Sequence, residues 1–352
     1  MKFVFTLFFL MLFAVPFELG AQTAVPVKAQ KGNRTLISVP VVVSDREGHY
    51  IPGLKKDDFT LYQGGVKQNI ASFATYDEPI NVALVLDTSG STKDTLKEIK
   101  DAAEDFIDLL NPSDKCLIAT FDAQVKVLNN LTSDHQTLKN SLAQAQTAQQ
   151  EGSVVFRAIK QITENSFADV QGRKVVVLLS DGKDFGSTVT KNELLSGLEE
   201  SDVSIYAIFY QTGAGFNKLV IAPDGTVKEG KESKKPKKEK KPKKKKGYSI
   251  LIPGRGDVFT QEEVKLSGKV MSIEAVNSLQ EISDVTAGRF YQSDAPNLSG
   301  IFRRIAGELR QQYRLGYYST EVASDAAQDI IVKVERPDVV VRARGKFRAK
   351  QL

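Results

Sequence analysis

The chain has 352 residues, with 48 Lys and Arg against 43 Asp and Glu, 41% hydrophobic residues, no Trp and one Cys. This balance excludes a disordered chain and a small disulfide scaffold, and a single cysteine permits no internal disulfide. The formal charge of +5 is local: residues 228–246 hold twelve Lys and three Glu, so the remainder is net −4 and any argument from basicity concerns one loop.

Residues 1–21 carry an early cation, Lys2, then an apolar run over 3–17 and small residues at Gly20 and Ala21, the layout of a cleaved signal peptide. The run is shorter than the roughly 20 residues a helix needs to cross a bilayer. Cys116 is the only cysteine, so none follows the leader to accept a lipid. The expected mature protein is secreted or periplasmic and not membrane-spanning.

After a polar stretch, Leu36–Ser44 (LISVPVVVS) is rich in β-branched residues, and 58–62 follows a turn cluster at 45–48. Short strands between Gly and Asp signals predict a small β-sheet over 33–79. From Asn81 the pattern changes. Continuous apolar runs at 82–86, 116–121, 175–179 and 203–209 suit strands buried on both faces of a mostly parallel sheet. Between the first two, Leu96, Ile99, Ala103, Phe106, Ile107 and Leu110 recur at helical spacing. Alternation of this kind predicts an α/β fold, a doubly wound, mostly parallel sheet with right-handed crossovers, over 80–312.

A glycine- and lysine-rich stretch at about 212–270 interrupts the rhythm and reads as an exposed insertion, with a hairpin-like piece near 248–252. Helical periodicity returns at 273–282 and at Leu298, Ile301, Phe302, Ile305 and Leu309. The tail, 313–350, reverts to strands. Either terminal block alone would bury too little surface, so the economical solution is one small β-sandwich built from both chain ends, with the α/β domain inserted in it.

The most informative residues stand where the first buried strand ends, as Asp87, Ser89 and Ser91 in a D-x-S-x-S pattern. A second run ends in Ser180-Asp181-Gly182. In an open parallel sheet the ligand crevice lies outside the carboxyl ends of the strands, which brings both acids to one edge. Carboxylate and hydroxyl oxygens without His or Cys suit a hard cation, Mg²⁺ before Mn²⁺ or Ca²⁺, and a site with few charged ligands keeps a coordination position open. The bland reading of the same residues is a turn followed by a helix N-cap.

These residues resemble the metal-ion-dependent adhesion site of von Willebrand factor A (VWA) domains, in which D-x-S-x-S is joined by a Thr on a second loop and an Asp on a third. Asp87, Ser89, Ser91 and Asp181 match in order. At the Thr position this chain has Ser153, with Thr147 as a nearby competitor. Further segments, among them Val43-Ser44-Asp45, Asp58-Phe59, Ala287-Gly288-Arg289-Phe290, Leu315-Gly316-Tyr317 and Val341-Arg342-Ala343-Arg344, resemble a family of bacterial exported VWFA-related proteins. The resemblance implies a bound divalent cation whose open position accepts an acidic side chain from a protein partner, without catalysis. It also implies that a shift of the helix at 298–312 would be passed to the strands that follow it.

Gly213-Ala214-Gly215 lacks the third glycine of a dinucleotide loop. The lysine run has no interleaved aromatics, so no nucleic acid is expected there; a solvated loop, or a contact with anionic cell-surface polymer, fits better. Arg255-Gly256-Asp257 is too short a motif to weigh, and Cys116 reads as an inert core thiol. His49 and His135 lie in turn-like polar contexts, and no nucleophile elbow, H-E-x-x-H helix or P-loop is present. Two alternatives to the adhesive reading remain: an envelope scaffold with a vestigial metal site, and a metal-dependent hydrolase using the same carboxylates.

Overall fold

The computed structural model describes residues 36–348 apart from 48, 76–77, 149–151, 211–218, 222–226, 230–249, 252–257, 260, 294–297 and 320–325. The leader, Gly213-Ala214-Gly215, the lysine run from 230 onward and Arg255-Gly256-Asp257 lie outside the described residues.

The central sheet has six strands. Five are parallel: β5 (Ile80–Asp87), β6 (Lys115–Phe121), β8 (Arg173–Ser180), β9 (Ser204–Tyr210) and β14 (Arg289–Ser293), in the order β14-β9-β8-β5-β6, with the short β7 (Val125–Val127) antiparallel at the far edge. Alternate residues of β5 feed opposite faces. Val82, Leu84 and Leu86 enter a core with α1 (Leu96–Asp108), α2 (His135–Ala143) and α6 (Leu298–Leu309). Ala83 and Val85 enter a second core with α3 (Val155–Gln161), α4 (Lys191–Glu199) and α5 (Gln261–Val285). Burial on both faces is the reason these strands read as unbroken apolar runs rather than as alternation.

Both chain ends meet in two antiparallel four-stranded sheets. One runs β17-β1-β15-β4, from β1 (Leu36–Ser44), β4 (Ile70–Ala74), β15 (Tyr313–Tyr318) and β17 (Val340–Ala343). The other runs β18-β16-β2-β3, from β2 (Phe59–Gln63), β3 (Val66–Gln68), β16 (Gln328–Val334) and β18 (Lys346–Phe347). Val39, Val41, Leu61, Leu315 and Tyr317 are fully buried between them, each worth roughly 1.5–3 kcal/mol of transfer free energy. Phe59 of one sheet packs on Phe73 and Tyr313 of the other, with centroids 5.6 and 5.3 Å away. The expected fold class, a doubly wound α/β sheet joined to a sandwich of both termini, is the one observed.

Two small antiparallel ladders, β10 (Leu219–Ile221) with β11 (Val227–Glu229) and β12 (Ile250–Leu251) with β13 (Val258–Phe259), stand in the stretch read as an insertion. Helix α5 begins at Gln261, inside that stretch and twelve residues before the periodicity at 273 announces it. No helix among the described residues is long and apolar enough to cross a membrane.

Candidate metal centre

Strands β5 and β8 are neighbours, paired through Leu86 and Leu179, so the loops after them leave the same edge of the sheet side by side. Asp87 is the last residue of β5 and only 1% exposed; Asp181, just past β8, is 4% exposed. Two carboxylates are thus withdrawn from water at adjacent strand ends. Burial, and after it the charge of Asp181, push the Asp87 carboxyl up to about 6.

Hydroxyls surround Asp87. Its Oδ1 accepts the backbone N–H of Ser89 at 2.9 Å, and its Oδ2 accepts the hydroxyls of Ser180 at 2.7 Å and Ser153 at 3.2 Å. The Ser89 and Ser91 hydroxyls lie 3.1 Å apart. Ser89 is buried, whereas Ser91 faces solvent. The N-cap alternative for these residues fails: α1 starts at Leu96 behind a short 3₁₀ turn, Gly90–Thr92, and neither Ser89 nor Thr95 caps with its side chain. Thr92 closes the turn instead, its hydroxyl donating to the Ser89 carbonyl at 2.9 Å.

Of the two candidates on the second loop, Ser153 is the one hydrogen-bonded to Asp87. It is held by a two-way bridge to Phe185, Ser153 N–H to Phe185 carbonyl at 3.1 Å and the reverse at 2.7 Å. This bridge ties the second loop to the third. Gly152 before it has φ +146°, and a Cβ there would come within 2.8 Å of Ala123 Cβ, so only glycine lets the loop lie this close. Gly182 plays the same part on the third loop: φ is +70°, and a Cβ would meet Leu279 of α5 at 2.9 Å.

Two participants were not singled out from sequence. Ser180 donates to Asp87, and its position immediately before Asp181 at a strand end was the available signal. Lys183 places Nζ 2.9 Å from Asp181 Oδ2 and donates its backbone N–H to Oδ1 of the same carboxylate at 3.2 Å. Only the loop's turn at Gly182 makes that contact, which no spacing rule announces.

The donor set near Asp87 is oxygen throughout, two carboxylates with serine hydroxyls, and no group of three or more His, Cys, Asp or Glu that could hold a metal ion occurs among the described residues. Paired buried carboxylates with hydroxyls turned toward them fit a hard divalent cation and do not fit a nitrogen- or sulfur-rich zinc cage. His49 and His135 are elsewhere, beside Asp45 and Asp108. Cys116 is buried in β6, where burial pushes its thiol up to about 12.

A family model described as the von Willebrand factor type A domain matches residues 81–267. No match was found among curated protein sequences. Similar solved structures include the conserved hypothetical protein BatB from Bacteroides thetaiotaomicron, 17% identical over 65% of this chain and 97% of that one, with TM-score 0.41. Proximal thread matrix protein 1 of the mussel byssus, with a zinc-occupied MIDAS motif, is 15% identical over 70% of this chain and 49% of that one, with TM-score 0.45. The vWF domain of the type V pili tip protein Mfa5 from Porphyromonas gingivalis is 16% identical over 65% and 94%, with TM-score 0.38. The matched stretch covers more than half of the 352 residues and contains the hydrogen-bonded cluster from Asp87 to Lys183, so the chain belongs to the von Willebrand factor type A family.

Proposed function

We propose that this chain is an exported binding protein that captures a protein partner through a divalent cation held by Asp87, Ser89, Ser91, Ser153 and Asp181, without turnover. The observation that carries the reading is the convergence of three loops on one buried carboxylate, with the Ser153 and Ser180 hydroxyls donating to it and the Ser89 and Ser91 hydroxyls paired beside it. Asp87 and Asp181 would hold the ion through charge, and the serines would complete its shell while adding no further negative charge. Mg²⁺ suits this set best, with Mn²⁺ or Ca²⁺ as substitutes. When bound, the ion supplies a positive centre able to accept a carboxylate from a partner's Asp or Glu.

Family membership supports a binding rather than a catalytic role, since domains of this type are generally interaction modules. The sequence supports export through the layout of its first 21 residues. Calorimetric titration with MgCl₂ and MnCl₂ tests the site directly: wild type should bind, and Asp87→Ala and Asp181→Ala should not. Absence of binding in wild type refutes the proposal. Passing envelope extract over immobilised protein in Mg²⁺, then in chelator, tests the partner; retention that survives chelator favours the scaffold alternative.

A further inference from the structure

We infer that Lys183 is a built-in counter-ion for the carboxylate pair, one that an incoming divalent cation must displace from Asp181, so that this residue sets how tightly the centre holds its metal. The inference rests on the metal reading above and concerns this chain's own side chains.

Two buried carboxylates at adjacent strand ends repel each other in a medium where charges are poorly screened. Lys183 answers that repulsion. Both oxygens of Asp181 are engaged by this one residue, Oδ2 by the ammonium and Oδ1 by the backbone N–H. The positive φ of Gly182 folds the chain back and makes a contact two residues apart possible. The Asp181 side chain is 5% exposed and that of Lys183 is 29% exposed, so the acid is fixed while the base reaches water and can leave.

A place to leave to is also present. A cleft of about 400 Å³ opens beside the loop and is lined by Lys183, Asp184, Lys191 and Glu274. Lys191 is already paired with Glu281 on α5 at 2.8 Å. Glu274 lines the same cleft, which therefore holds a second carboxylate. An ammonium neutralises Asp181 but has no vacant coordination position, so it cannot hold a partner's carboxylate as a metal does. Exchange of Lys183 for a divalent ion therefore converts a self-neutralised loop into an electrophilic one.

The test uses the full chain, with MnCl₂ as the probe. Calorimetry on wild type, Lys183→Met and Lys183→Gln, with Lys191→Met as control, reads affinity; thermal melts in EDTA read the metal-free fold. Both Lys183 variants should bind Mn²⁺ about tenfold or more tightly than wild type, because the Lys183 ammonium no longer competes for Asp181. Both should melt several degrees lower in EDTA, because the ion pair between Asp181 and the Lys183 ammonium is then lost. Lys191→Met should match wild type in both measurements. If wild type binds Mn²⁺ and the Lys183 variants bind no more tightly, or if their melting temperatures in EDTA are unchanged, the counter-ion role is overturned and the metal site stands. If neither wild type nor the variants bind, the metal reading fails and this inference with it.

Discussion

Glu308 is the test of how the α/β domain is joined to the sandwich. It lies on α6, is fully buried, and pairs with four residues, three by hydrogen bonds and Arg289 as an ion pair. The Tyr206 hydroxyl of β9 donates to Oε1 at 2.6 Å and the Tyr50 hydroxyl to Oε2 at 3.0 Å. Arg289 of β14 places Nε 3.3 Å from Oε2, and Arg342 of β17 pairs with Oε1. One carboxylate therefore links the last helix, the central sheet and the sandwich. Glu308→Ala leaves the Tyr206 hydroxyl buried without an acceptor, at a cost of about 1–3 kcal/mol. It also leaves Arg342 without its carboxylate; breaking a buried pair costs about 3–5 kcal/mol, less here because the Arg342 side chain remains 24% exposed. A total loss of about 4 kcal/mol follows. Glu308→Gln retains the shape and an acceptor oxygen and should lose about half of that. Adding Arg342→Met to Glu308→Gln should recover part of the loss, because the uncompensated cation is then removed as well. Urea denaturation followed by near- and far-ultraviolet circular dichroism measures each step. A loss below about 1 kcal/mol for Glu308→Ala, with coincident transitions, would refute the assignment of this residue as the joint.

Three shorter predictions accompany it. In EDTA at pH 7.5, Asp87→Asn should be more stable than wild type by up to about 3 kcal/mol: burial and Asp181 raise the Asp87 carboxyl from 3.8 to about 6, so its ionised form opposes folding, increasingly as pH climbs from 4 to 6 and fully above that range. The gain should vanish at pH 4, and thermal melts that show Asp87→Asn no more stable at pH 7.5 would contradict it. Gly182→Ala should cost about 1–3 kcal/mol, since the added methyl meets Leu279 and Ala275 at 2.9 and 3.1 Å in a backbone conformation that disfavours alanine; unchanged stability would show that α5 yields at no cost. Cys116 should resist alkylation at pH 8 until the protein unfolds, a point that intact-mass analysis before and after urea decides.

Much of this was legible in the chain. Leu36–Ser44 reads as a strand from its β-branched residues and is β1. The apolar runs ending at Leu86 and Leu179 correspond to β5 and β8, because burial on both sides leaves no polar alternation to confuse them. Strand β14 was harder to see. Its five residues, RFYQS, carry an Arg and a Gln and are only partly buried except at Ser293, so nothing local marks them as the sheet's edge. The alternative reading of Ser89 and Ser91, a turn followed by a helix N-cap, gave the turn but not the cap, since whether a serine caps depends on where the helix begins.

Composition, periodicity and the order of Asp87, Ser89, Ser91 and Asp181 determined the class of sheet, the edge at which its chemistry stands and the hardness of the ion it suits. These are properties of residue type and of order along the chain, which every copy carries before it folds. Tertiary structure decided what depends on contact across distance in the chain: that Ser153 meets Asp87 66 residues away, that a strand from one chain end pairs with a strand from the other in each sandwich sheet, and that Glu308 meets Tyr50 258 residues away. The physical reason is that a hydrogen bond or an ion pair acts over a few ångströms, and only the packing of helices against the sheet brings such groups within that range.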